Sequence, residues 1–176
     1  MNRKYLGDSY DAVKRMWRDM FVDWAPLYAA PRFIPNDLQS EFTLLTRIPI
    51  FFGRPEGPFS IFNDPDTGVR LPDEANQSEG RTHITVHTIA GQVHNGASCV
   101  ITFDQSNYRN KGMQLGDQRS TKMLSLAENG CHSFYYVSHA PFLFAAANAS
   151  VILTIRTILT NAGIPNNKLK GLDGNI

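Results

Sequence analysis

Residues 59–70 read FSIFNDPDTGVR, and the reading of this stretch decides the fold. An apolar run from Phe59 to Phe62 breaks at Asn63 into two aspartates, Asp64 and Asp66, separated by a proline and followed by Thr67-Gly68. A short run that is apolar almost throughout and bounded by turn residues reads as a strand buried on both faces. The polar segment behind it reads as a loop that takes up the two carboxylates at the strand's exit. The pattern recurs at residues 99–109, CVITFDQSNYR, where Asp104 stands at the same point after a strand over Cys99–Phe103.

Outward from these two strands, strand and helix alternate. A short strand at Lys4–Leu6 leads to a helix capped by Asp8, with Asp11 in its first turn and Tyr10, Val13, Trp17, Met20, Phe21 and Trp24 recurring at helical spacing. Leu27–Phe33 predicts a second strand, kept short or at an edge by Pro31. A helix capped by Asp37 or Ser40 follows and ends near Pro49, because a residue before proline avoids helical geometry. Residues 71–81 are polar enough to form an exposed loop. Residues 82–90, THITVHTIA, fit either a helix capped by Thr82 or an alternating strand, and the α/β rhythm favours the helix. A helix capped by Asp117 over 118–129, a strand over 133–137 ending in Ser138-His139, an apolar run after Pro141 and a helix over 149–162 complete the pattern. The expected fold is a single three-layer (αβα), Rossmann-like α/β domain over residues 1–165, with a mostly parallel central sheet of about five or six strands. Residues 166–176 are expected to form a frayed tail.

At 176 residues the chain can bury an adequate core without staples, and 42% apolar with 19% charged residues excludes global disorder. A net charge of +1 gives no general attraction to nucleic acid or anionic lipid, although a local basic patch is compatible with it. Cys99 and Cys131 read as buried free thiols of a reducing compartment. The N-terminal residues lack the apolar core of a signal peptide, and no run approaches the ~18–20 apolar residues of a membrane span. The cytoplasm, with no membrane partner, is therefore the expected location.

In an open parallel α/β sheet, ligands bind outside the carboxyl ends of the strands. Asp8, Asp64 with Asp66, Asp104, and Ser138-His139 would all be delivered to that edge. Clustered carboxylates need a cation, a basic partner or shared protons. A divalent Mg²⁺ or Mn²⁺ held by Asp64 and Asp66 would suit phosphoryl or phosphodiester chemistry on a small phosphorylated molecule or a nucleic acid. Asp104 would then be a ligand or base and His139 the proton carrier, while Asp8, Thr67, Ser106 and Arg109 would contact substrate, with Lys111 and Arg119 as further phosphate-neutralising candidates. His83, His87 and His94 are the other metal-capable set, but no Cys or Glu at ligand spacing reinforces them. No P-loop, G-x-G-x-x-G, G-x-S-x-G or H-E-x-x-H pattern occurs, which disfavours ATP-driven, dinucleotide-dependent and serine-hydrolase chemistry.

DPDTG at a strand end resembles the D-P-P-[YF] motif of class I methyltransferases that modify amino groups on bases, and the helix–strand order after it is compatible with that family. The resemblance covers the second half of the chain and implies a Rossmann-like fold with S-adenosylmethionine as cofactor. The phrase F-x-D-P-D-[TN]-G, followed by a strand ending in D-Q-S, is also similar to a set of uncharacterised bacterial and phage proteins. That likeness draws attention to Asp64, Asp66 and Asp104 without implying a reaction. A non-catalytic binding or assembly module is the third reading.

Overall fold

The computed structural model describes residues 3, 6–74, 80–106 and 112–172. Along the chain these form α1 (Ser9–Phe21), β1 (Leu27–Ala29), α2 (Gln39–Thr46), β2 (Ser60–Asn63), β3 (Gly68–Val69), β4 (His83–Ile84) and α3 (Val86–His94). They continue with β5 (Cys99–Phe103), α4 (Leu115–Glu128), β6 (His132–Tyr136), β7 (Phe142–Ala146), α5 (Ala149–Asn161) and β8 (Leu169–Lys170). Six strands make one sheet in the order β1-β2-β5-β7-β6-β8, while β3 and β4 pair separately.

The sheet is mixed, which corrects the expectation of a mostly parallel one. β1–β2 and β2–β5 are parallel, but β5–β7, β7–β6 and β6–β8 are antiparallel. The reason lies in the connection after β6. Residues 137–141 are too few for a parallel crossover, which needs about a dozen residues. The apolar run after Pro141 therefore folds back as β7, between β5 and β6.

Alternate side chains along each strand enter two separate cores, as the two-residue period requires. Leu27, Ala29, Phe62, Cys99, Ile101, Phe134, Phe142 and Phe144 meet Trp17 and Phe21 of α1, Phe42 of α2, and Ile152, Ile155 and Leu159 of α5. Ile61, Val100, Tyr135, Leu143 and Ala145 meet Val86, Ile89 and Val93 of α3 and Met123 and Leu126 of α4. Trp17 anchors the first core by edge contacts with Tyr136, Phe142 and Phe144 at 5.2, 5.5 and 5.4 Å. Cys99 and Cys131 are buried free thiols, and burial raises the pKa of both. No helix among the described residues is long and apolar enough to cross a membrane.

Several local expectations change. Leu6 and Gly7 form a turn, with Lys4 and Tyr5 outside the described residues, so Asp8 follows a turn. Its cap holds: Asp8 Oδ1 accepts the Tyr10 N–H at 2.8 Å. Asp8→Ala is expected to cost about 0.5–2 kcal/mol, read as a lower urea midpoint with an unchanged slope. α2 has no side-chain cap; Asp37 lies in the preceding 3₁₀ turn, and Arg47 at φ 59° ends the helix. In residues 82–90 both periodicities are realised in turn, His83–Ile84 as strand and then a helix from Val86, capped by Thr85 Oγ. α4 starts at Leu115, which places Asp117 in its first turn. The expected frayed tail is ordered through its first part: fully buried Leu169 pairs with Tyr136, because β6 would otherwise present an open edge beside the core.

Candidate functional site at the carboxyl ends of the strands

β1, β2, β5 and β6 run in one direction and end at one edge. That edge receives Asp64 and Asp66 after β2, Asp104 after β5, and Ser138-His139 after β6. The connection leaving β1 places Ala30 and Phe33 in the second core before Ile34 and, on α2, Phe42 enter the first, whereas the connection leaving β2 passes to α3, in the second. In open α/β sheets ligands lie outside the carboxyl ends of the strands, which makes this edge the candidate site.

Asp64 stands directly after the carboxyl end of β2 and is buried. Its partner is Lys14, which α1 places one turn from Asp11. Lys14 Nζ donates to Asp64 Oδ2 at 2.8 Å and to Asp11 Oδ1 at 2.9 Å, and Asp11 Oδ2 accepts the Gly7 N–H at 2.7 Å. The Phe42 ring lies 5.8 Å from the same ammonium. Burial opposes the charge on Lys14, but Asp64 and Asp11 outweigh it and hold the ammonium above the ordinary lysine range.

Asp104 is the hub of a second cluster. Its Oδ1 accepts the Val69 N–H at 2.9 Å, the Ser106 N–H at 3.2 Å and the Ser106 hydroxyl. Its Oδ2 accepts from Lys122 Nζ at 2.8 Å and Tyr135 OH at 2.7 Å, and Lys122 also donates to Ser106 Oγ at 2.6 Å. One carboxylate thus ties β3, the loop after β5, α4 and β6 together. Burial works against its charge, yet the Lys122 ammonium and the bonds from Lys122, Ser106 and Tyr135 prevail and hold it below the usual carboxylate range. Burial draws Lys122 below the usual lysine range, which Asp104 only partly offsets, and pushes the Tyr135 phenol well up. The approach of β3 to this hub requires glycine: at φ 138°, Gly68 has Asp104 Oδ1 where a Cβ would stand.

Between the clusters, Asn63 and Gln92 exchange amide hydrogen bonds at 2.7 and 2.9 Å, and Asn63 Nδ2 also reaches Thr102 Oγ1 at 3.1 Å. This reciprocal pair satisfies the buried amide of Asn63 and fixes the last residue of β2 against α3 and β5.

The expected site residues therefore share an edge without joining in one carboxylate cluster. Asp64 and Asp104 belong to separate lysine pairs, and Ser106 belongs to the Asp104 hub. Asp66 is exposed, and its N–H donates to Arg81 O; half-buried Thr67 donates its N–H to Thr82 O. His139 is exposed, its ring stacked on Tyr10 at 5.9 Å, while Gln105 Nε2 donates to Tyr10 OH at 2.6 Å. Asp8 is a helix cap, and Arg109 and Lys111 lie outside the described residues. Arg119 is placed by its guanidinium, 5.6 Å from the Tyr135 ring.

A resident Mg²⁺ or Mn²⁺ requires carboxylate oxygens free to coordinate it. With an ammonium on Asp64 and on Asp104, the residues present do not fit such an ion unless both lysine pairs open. Among the described residues, no group of three or more His, Cys, Asp or Glu is arranged to hold a metal ion. His83 and His87 fall on different elements, and His94 Nε2 bonds the Asn129 carbonyl at 2.9 Å. No family model, curated protein or solved structure matches the chain.

Sequence reasoning missed Lys14, Lys122 and Tyr135. Two signals pointed to the lysines: Asp11 and Lys14 stand one turn apart, and Lys122 interrupts the apolar face that Met123 and Leu126 give α4.

Proposed function

We propose that the protein is a three-layer, Rossmann-like α/β enzyme of methyltransferase-like type, or a relative that keeps the ligand site, with nucleic acid as the substrate class. Its ligand, S-adenosylmethionine or a similar nucleoside-type molecule, lies in the crevice between the carboxyl ends of β1 and β2. The observation that carries this reading is that the helices following β1 and β2, α2 and α3, pack in different cores on either side of the strand that leads into Asp64. Two further points support it. Asp64 and Asp104 have lysine partners that offset their charge without a metal. The order of helices and strands after DPDTG also agrees with the methyltransferase resemblance. When bound, S-adenosylmethionine supplies a transferable methyl group. The Asn63–Gln92 pair would hold the crevice wall, and Asp64 would face the ligand.

Metal-assisted hydrolysis of a phosphorylated or nucleic-acid substrate is the second reading. The exposure of Asp66 and His139 on the same edge favours it. It requires Asp64 to leave Lys14 and join Asp66 on the ion.

Thermal unfolding separates the two, because a ligand that binds only the native state raises Tm in proportion to its saturation. Saturating S-adenosylmethionine is expected to raise Tm, and Mg²⁺ or Mn²⁺ alone is not. The absence of a shift with S-adenosylmethionine overturns the first reading. A rise with Mn²⁺ that disappears in Asp64→Ala/Asp66→Ala puts the hydrolytic reading in its place, and no shift with either favours the binding or assembly module.

A further inference from the structure

We infer that a cavity at the amino-terminal end of β6 binds a small organic carboxylate with an apolar body, and that Arg156 holds its charge. Unequal strand lengths create the cavity. β6 runs over His132–Tyr136, but β8 pairs only with Tyr135 and Tyr136. Beyond the end of β8, no described strand covers that edge of β6, which lies between α4 on one face of the sheet and α5 on the other. A cavity of about 180 Å³ opens there, walled by Met123 and Ala127 of α4, Phe134 of β6, Ile152 and Leu153 of α5, and Leu172. It sits at the end of β6 away from Ser138-His139, so it is separate from the candidate site at the carboxyl edge.

Among the described residues three cations are buried, Lys14, Lys122 and Arg156. Each lysine is paired with a carboxylate, whereas Arg156, only 6% exposed and part of the cavity wall, has no acidic partner. Its Nη2 donates to Asn166 Oδ1 at 2.9 Å and to the Leu169 carbonyl at 3.3 Å, and its guanidinium lies 5.7 Å from the Phe134 ring. These contacts fix the plane of the group but supply no negative charge. Burial draws the Arg156 pKa below the ordinary arginine value, and no carboxylate opposes it. A buried charge is costly unless a counter-charge and hydrogen bonds satisfy it. Arg156 Nε and Nη1 bond no described residue, and Nη1 stands beside Gly171, which also lines the cavity. Those N–H groups are the donors that a carboxylate takes from arginine. A second polar demand on the same lining is unmet: the Ser133 hydroxyl is buried with no hydrogen-bond partner, a rare condition in native proteins. The walls are apolar, and Leu153 and Leu172 on the rim are 50% and 38% exposed, so a hydrocarbon body would be favoured there. At the ~30 Å³ that a liquid water occupies, 180 Å³ takes roughly six heavy atoms, well below the ~300–1,000 Å³ of sites for larger ligands. The ligand is therefore a short-chain monocarboxylate. A phosphate would meet the charge and leave the apolar wall unfilled.

Titration of the isotope-labelled protein with pentanoate, its neutral amide pentanamide and inorganic phosphate, followed by the NMR shifts of backbone amides, tests this. In the wild type, pentanoate is expected to give saturable shifts over His132–Phe134 and Ala149–Arg156. Pentanamide should bind about tenfold or more weakly, as for loss of a charged hydrogen bond. Phosphate should give no saturable shift there. In Arg156→Gln, pentanoate should fall to the affinity of pentanamide. The inference is overturned by any of four results: no saturation with pentanoate, equal affinities in the wild type, phosphate binding as tightly as pentanoate, or a preference for pentanoate that survives Arg156→Gln. Should Arg156→Gln not fold, Gly171→Val gives the decision. The backbone of Gly171 lies outside the left-handed region, and a Cβ there would stand 3.9 Å from Nη1, an ordinary contact. Valine narrows the cavity beside the guanidinium without removing the charge, so pentanoate should weaken by about tenfold or more. Undiminished affinity in that variant overturns the inference. None of these outcomes bears on the carboxyl edge, at the other end of β6.

Discussion

Lys122→Met is expected to destabilise the protein by about 3–5 kcal/mol, the usual result of removing one partner from a buried ion pair. The cost comes less from the lost contact than from what is left behind. Asp104 would keep the Val69, Ser106 and Tyr135 donors but lose the ammonium that offsets its burial. A second substitution separates the two contributions. In the Lys122→Met background, Asp104→Asn removes the stranded charge and should cost far less than it does alone, giving a coupling energy of the size seen for contacting residues. Urea unfolding of the four proteins of this cycle measures it; a Lys122→Met cost below about 1 kcal/mol would place the hub outside the group of buried pairs. The wild type should also show the hub in acid. Because the folded-state pKa of Asp104 is depressed, its contribution is fully present above the unfolded value of about 3.9 and is lost as pH falls through the folded value.

The parts of the fold set by local pattern were legible in the sequence. α1, β2, β5 and α5 follow directly from apolar periodicity and stop signals, because each buries a continuous stripe or a short apolar run. The direction of β7 was not legible in that way. FLFAAA reads as apolar whichever way it runs, and only the short connection from β6 makes it antiparallel. β8 was hidden for a related reason: its polar surroundings resemble a tail, and its place depends on β6 having an edge that only the folded sheet creates.

The candidate site divides the same way. Asp64 and Asp104 could be picked out as polar strand ends, since their position follows from the strands. Their partners could not, because Lys14 is fifty residues from Asp64 and Lys122 eighteen from Asp104, and both arrive on helices whose packing sets the contact. The rule that clustered carboxylates need compensation was sound, but the compensation comes from lysines on α1 and α4. A charged residue on the apolar face of a helix is thus a stronger pointer than its isolated appearance suggests: burial forces it to find a partner, and strand ends are where partners are available.

Lys14→Met is expected to produce a loss of similar size, about 3–5 kcal/mol at neutral pH, with a different dependence on pH. Here two carboxylates, Asp11 and Asp64, are left facing each other without the ammonium that joins them. In the wild type the folded-state pKa of Lys14 is raised, so its stabilisation is fully present below the ordinary lysine value of about 10.4 and is lost as pH rises through the folded value. Urea unfolding of wild type and Lys14→Met at neutral and strongly alkaline pH tests this, and a deficit that does not shrink at alkaline pH would show that methionine is simply packed badly against Phe42. The position of Lys14 makes the result more than a stability measurement. Its ammonium holds the first turns of α1 to the carboxyl end of β2, so the interaction that anchors α1 also fixes the polar edge at which β2 ends.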